Sequence, residues 1–143
     1  MFLPNQRFIL GAVVDRSYMP WSPACETELV GITWFGLTRV GVLPKEVAHF
    51  MAEKAPGAPQ VYYGATAVCR DWQGKKIAYR LKEHALTTID QLYPGCITLT
   101  RMRSDNHRMI QINHSQGFEK SSIIEAGHTE GVYEEWWFRV NPD

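Results

Sequence analysis

The stretch Ala67–Lys82, AVCRDWQGKKIAYRLK, opens as a strand and closes as a helix. One glycine, Gly74, and two lysines, Lys75 and Lys76, stand at the change. The first amides of a helix lack intrahelical partners, and the macrodipole makes that end positive. Lysines there oppose the dipole and cost stability unless an anion arrives. Gly74 lets a ligand come close to the backbone. A strand, a glycine turn and a helix start with added positive charge fit a phosphorylated ligand. The bland alternative is a solvated helix start. Neither G-x-x-x-x-G-K-[ST] nor G-x-G-x-x-G is present, so a P-loop triphosphatase or a Rossmann dehydrogenase is not supported.

Working outward, the pattern predicts strands over Arg7–Val14, Glu28–Leu37, Val61–Val68 and Cys96–Thr100, with two more around Phe118–Glu125 and Val132–Val140. Asp15–Glu26 carries two prolines and reads as a loop. Pro44 suits the first turn of a short helix with Val47, Phe50 and Met51 on one face, stopped by Pro56-Gly57. A long helix is expected from about Gly74, its stripe formed by Ile77, Leu81, Ala85, Ile89 and Leu92. A second amphipathic helix follows, capped by Ser104 or Asp105 and closed near Gly117. The fold class expected is α+β, an α/β sandwich with a mixed, mostly antiparallel central sheet and flanking helices. All 143 residues read as a single domain.

Charge bounds the function. Lys+Arg and Asp+Glu both number 15, so the net charge is +0, which argues against a nucleic-acid or membrane coat. Cys25, Cys69 and Cys96 lie far apart, giving neither a disulfide framework nor a metal signature. Cys69 and Cys96 stand in apolar runs and read as small core residues. The N-terminus lacks the pattern of a signal peptide, and a cytoplasmic location is expected. The five histidines lack ligand spacing, and no metal is expected.

Two segments carry a resemblance. TAVCRDWQGKKIAYRLK, Thr66–Lys82, resembles the acetyl-coenzyme A motif of the GNAT superfamily of N-acyltransferases. NHRMIQINHSQGF, Asn106–Phe118, resembles that superfamily's second motif, in the right order and with a strand between. The closest likeness is to the mycothiol-synthase-like branch. The resemblance implies a GNAT-like fold and acetyl-CoA as acyl donor. It implies that Ala67 and Val68 pair with the pantetheine arm and that Gln73, Gly74, Lys75, Lys76, Ile77 and Ala78 form the pyrophosphate loop. Asn106 would sit near the pantetheine. Asn113 stands where many members keep a tyrosine that protonates the leaving thiolate, and an amide cannot replace a phenol as an acid. Lys76 replaces the second glycine of the loop. The region before Glu28, which normally walls the acceptor pocket, is shortened.

The expected activity is acetyl transfer from acetyl-CoA to an amine, on a small molecule or a peptide. A strand amide near Val68 would polarise the thioester carbonyl. Tyr63, His114 and Glu135 are the candidate bases. Of Tyr62 and Tyr63, one is expected to face the core and the other the cleft. Glu134-Glu135-Trp136-Trp137 reads as a strand with one buried tryptophan, or as an acceptor wall that attracts an amine. Trp21 and Trp34 fit core or pocket equally. Two rivals stand beside the enzyme: a non-catalytic acyl-CoA-binding or sensing domain, and an interaction fragment of a longer enzyme. An aromatic C-terminal strand, unable to bury both faces in so small a domain, predicts a homodimer.

Overall fold

A computed structural model describes residues 7–15, 27–38 and 43–141 of the chain. The elements are β1 (Arg7–Asp15), β2 (Thr27–Leu37), α1 (Lys45–Lys54), β3 (Gln60–Val68), α2 (Ile77–Leu92), β4 (Ile97–Arg103), α3 (His107–Ser115), β5 (Glu119–Ala126) and β6 (Tyr133–Val140). They follow the predicted order. The loop expected at Asp15–Glu26, with Trp21 and Cys25, lies outside the described residues apart from Asp15.

One six-stranded sheet runs β1-β2-β3-β4-β6-β5. Every neighbouring pair is antiparallel except β3 and β4, which α2 joins by a crossover. Alternation sends successive strand residues to opposite faces. On one face α2 and α3 cover Phe35, Val61, Tyr63, Met102 and Trp137. On the other, Val47 and Met51 of α1 pack on Ile97, Leu99, Trp136 and Phe138. Fully burying one such side chain stabilises the fold by roughly 1.5–3 kcal/mol. Arg139 ties β6 to α2 by donating two hydrogen bonds to Asp90, 2.9 and 2.7 Å long.

Several expectations are corrected here. β6 buries both faces inside one chain: Trp136, Trp137 and Phe138 are all buried. Both tryptophans are therefore core, one on each face, because helices cover both sides of the sheet. This removes the argument for a homodimer that rested on β6. Cys96 is buried as expected, but Cys69 is exposed, since it follows the last residue of β3.

Helix α2 begins at Ile77, not at Gly74. Gly74 and Lys76 both have positive φ, +81° and +62°, so the chain cannot be right-handed helix until it has passed them. Glycine bears this freely, whereas lysine is strained there. The second helix begins at His107, and its cap is Asn106, whose side chain accepts the Met109 amide at 3.3 Å. Ser104 and Asp105 are otherwise engaged: Ser104 accepts the Tyr133 amide, and Asp105 pairs with Arg103.

Candidate active site

The site begins where the sheet comes apart. β3 and β4 pair only over Gln60–Tyr62 and Ile97–Leu99. From Tyr63 onward β3 keeps its ladder to β2 but has no rung to β4. Among the described residues no strand pairs with that edge beyond Tyr62, and a strand edge of this kind can take an extended ligand. β3 also bulges: between the pairs Phe35↔Tyr63 and Thr33↔Thr66 it holds two residues, Gly64 and Ala65, opposite Trp34 alone. The Trp34 ring lies directly on Gly64, where an added Cβ would fall 1.9 Å from Trp34 Cε2.

A cavity of about 330 Å³ fills the split. Trp34, Tyr62, Arg101 and Glu134 line it from the α1 side, and Tyr63, Lys82, Met102, Asn106 and Met109 from the α2–α3 side. Both tyrosines thus reach it, because the cleft passes through the sheet instead of lying on one face. Trp34 and Tyr62 meet at 5.6 Å, giving the α1 side an aromatic wall with the Glu134 carboxylate beside it. A second cavity, about 140 Å³, adjoins the loop before α2. Val68, Gln73, Gly74, Ile77 and Ala78 line it, with Arg108 from α3. Thr66 and Met109 belong to both cavities, so the two meet there.

The loop has the features of an anion cradle. No atom lies within 4 Å of a Cβ built on Gly74, so the space before the helix is open. The Ile77, Ala78 and Tyr79 amides precede the first intrahelical donor, Arg80, whose amide reaches the Lys76 carbonyl at 3.0 Å. Lys75 and Lys76 are exposed, with the Lys75 ammonium 5.5 Å from the Trp72 ring. Gln73 folds back and donates to the Val68 carbonyl at 3.1 Å. Arg108 adds a positive charge that the sequence reading missed. On its own it looks like any solvated helix arginine, and only the packing of α3 beside the loop sets it there.

Tyr63 is buried in a cluster of hydroxyls. It shares hydrogen bonds with Thr33 and with Thr66, the latter at 2.5 Å, and the two threonines lie 3.0 Å apart. Burial raises the phenol above its ordinary pKa, and the threonine bonds pull the other way. Burial likewise raises Tyr62. His114 is exposed, its ring edge-on to Trp137 at 4.9 Å. Glu135 is buried and pairs with Lys120 at 2.5 Å. Neither lines either cavity, so among the three candidate bases only Tyr63 does.

The residue missed most completely is Lys82. It is 0% exposed, lines the central cavity, and donates to the Asn113 carboxamide oxygen. The Asn113 amide nitrogen in turn donates to Met102 Sδ at 3.5 Å. Asn113 is therefore buried and committed to Lys82 and Met102. The Lys82 ammonium position is 5.0 Å from the Tyr63 ring and 4.6 Å from the Phe118 ring. Burial lowers its pKa from 10.5 to about 7. Among the described residues no carboxylate pairs with it. Nor, among them, does any group of three His, Cys, Asp or Glu side chains gather to hold a metal.

No family model matches the chain, and no curated protein matches it in sequence. Solved structures do match it in shape. NAA60 of Arabidopsis thaliana in complex with acetyl-CoA superposes with a TM-score of 0.70 at 16% identity, over 94% of this chain and 76% of that one. The NatC complex bound to Gag peptide and CoA gives 0.60 at 13% identity, over 87% and 67%. A ribosomal-protein-alanine N-acetyltransferase from Brucella melitensis gives 0.56 at 16%, over 79% and 62%. With its six-stranded mixed sheet and flanking helices, the chain has the GNAT acetyltransferase fold.

Proposed function

We propose that the chain is an acetyl-CoA-dependent N-acetyltransferase. One observation carries the proposal: the cavity in the β3–β4 split joins the loop cavity at Thr66. A ligand can then lie along the free edge of β3 with its phosphates at the Gly74 turn and its thioester at the bulge. The amides of residues 77–79, with Lys75, Lys76 and Arg108, would hold the pyrophosphate. Ala67 and Val68 would pair with the pantetheine. Asn106 lines the central cavity beside that path. An amide of the bulged strand would polarise the carbonyl. The acceptor amine would enter past Trp34, Tyr62 and Glu134, whose acidic and aromatic surfaces favour a cation. NAA60 in complex with acetyl-CoA and NatC with CoA and a peptide support this reading through the shared fold.

The acceptor is a small-molecule or peptide amine, and the mycothiol-synthase-like branch is the affiliation we favour from the two sequence motifs. A cytoplasmic homodimer belongs to the same proposal. With the centre of β6 covered, its support is β1, the edge strand among the described residues, where Ile9 and Val13 are exposed. A monomer mass by light scattering in an active sample removes it. The enzyme itself is tested by following free thiol from acetyl-CoA with a panel of amines and peptides, beside calorimetry with coenzyme A. Thiol release that requires an amine supports the transferase. Binding without release selects the sensing domain, and absence of both selects the interaction fragment.

A further inference from the structure

We propose that Lys82 is the base that takes the proton from the acceptor amine. The inference rests on the acetyltransferase reading above and assigns that reaction a residue outside Tyr63, His114 and Glu135. Among the described residues Lys82 is the single amine lining the central cavity, and it is fully buried. A lysine is almost never fully buried without an anionic partner. Here its partner is a neutral carboxamide, and two aromatic rings flank the nitrogen. Asn113 accepts one N–H, which fixes the nitrogen and leaves a lone pair whenever the proton is absent.

The titratable and charged groups around the same cavity are Tyr62 and Tyr63 on β3, Arg101 and Arg103 on β4, and Glu134 on β6. Asn106, the cap of α3, and Met109 on the helix line the cavity, and neither is ionisable. The two arginines oppose a second positive charge, and Glu134 favours one. Burial acts in the same direction as the arginines and brings the amine to about 7, a value that suits a base working at neutral pH.

The protons balance. The acceptor ammonium gives its first proton to the Lys82 nitrogen through a water in the cavity, since the side chain has no surface open to direct contact, and the freed amine attacks the thioester carbonyl. The C–N bond forms and the C–S bond breaks as the tetrahedral intermediate collapses. The second proton passes from the new amide nitrogen to the thiolate, with the Tyr63–Thr66 hydroxyls at hand to relay it. Lys82 then returns its proton to water.

The test uses Lys82→Met, which fills the same space without a base, and Lys82→Arg, which stays charged. Both should lower kcat by roughly 100-fold or more while coenzyme A affinity holds within about twofold. The rise of the wild-type rate through about pH 7 should vanish in both. Carbon-labelled lysine followed by NMR in the wild-type protein should show one ε-methylene titrating near 7, missing in Lys82→Met. An active wild type with an unchanged pH profile in Lys82→Met overturns this inference alone, as does a Lys82 that stays charged to about pH 9. Acetylated Lys82 found by mass spectrometry after acetyl-CoA treatment would make it an acceptor and overturn the base role. A wild type with no turnover on any amine overturns the transferase and this inference together.

Discussion

Replacing Lys82 by methionine also has a consequence for folding that needs no substrate. In the unfolded chain the amine keeps its ordinary value of 10.5, and in the folded chain burial lowers it to about 7. Between those values the unfolded chain binds more protons than the folded one, so stability rises with pH. The penalty is complete below the folded value and gone above the unfolded one. Each pKa unit stands for about 1.4 kcal/mol, so the whole penalty is on the order of 5 kcal/mol. Between about pH 7 and pH 9, about 2 kcal/mol of it is recovered. At 0% exposure the side chain has little solvent screening to reduce that figure. Methionine has no such dependence. It leaves Asn113 short of a partner, at a cost of roughly 1–3 kcal/mol that does not vary with pH. The readout is therefore the change in the gap between the two proteins, not its size. Tyr62 and Tyr63 are raised above 10.0, keep their protons across this window, and are common to both. Urea unfolding at the two pH values should show wild type gaining about 2 kcal/mol on the variant. A gap that stays constant would show that Lys82 carries its proton in the fold, and the reasoning would fail.

Gly74→Asp should fold, since no atom lies within 4 Å of the added Cβ and aspartate tolerates the left-handed region better than most residues. Its negative charge should weaken coenzyme A binding by about tenfold or more, or about 1.4 kcal/mol by calorimetry; unchanged affinity would move the phosphate site elsewhere. Gly64→Ala meets the Trp34 ring at 1.9 Å and should cost roughly 1–3 kcal/mol in urea, with a changed tryptophan emission. Unaltered stability would mean that Trp34 is not held over β3. Tyr63→Phe leaves Thr33 and Thr66 bonded to each other at 3.0 Å, so the fold should persist. Loss of the relay should lower kcat by roughly tenfold or more with the acetyl-CoA KM unchanged; a full kcat would remove the phenol from proton transfer.

The elements were readable where local pattern and burial agree. The Leu81, Ala85 and Ile89 stripe and the β-branched runs of β2 and β3 are such places. The start of α2 was misjudged because left-handed φ at Lys76 leaves no mark in a lysine. The loop half of the candidate site stands out in the sequence, since Gly74 and its lysines are contiguous. The cavity half was legible only in part: Tyr63 and Asn113 stand among the candidate residues, whereas Lys82, which donates to Asn113, passes alone for a solvated helix lysine. One trace of Lys82 was present: it stands four residues after Ala78 and four before Leu86, within the buried face of α2. A lysine in an apolar stripe is the kind of local conflict that marks functional positions. Glu135 and His114 show the reverse error. The pairing of Glu135 with Lys120 and the packing of His114 against Trp137 depend on strand register and helix rotation, which composition does not reveal.

The short β3–β4 ladder divides the sheet into two halves with different histories during folding. β1, β2 and β3 form one antiparallel group, and β4, β6 and β5 form the other. Within each half every ladder holds five or more residue pairs, whereas the seam between them holds three and is joined through α2. Closing a loop costs entropy before the contacts repay it, and three pairs repay it least, so the seam is the expected last event. Truncations at Val61 and Leu99, on the two sides of that seam, should then speed unfolding more than they slow folding. Low kinetic φ-values there, against higher ones at Phe35 and Trp137, are the expected pattern, and the opposite ranking would place the seam in the nucleus. The cleft would thus be the place where two finished half-sheets meet and stop zipping after three residue pairs, leaving the remaining rungs for a bound molecule to supply.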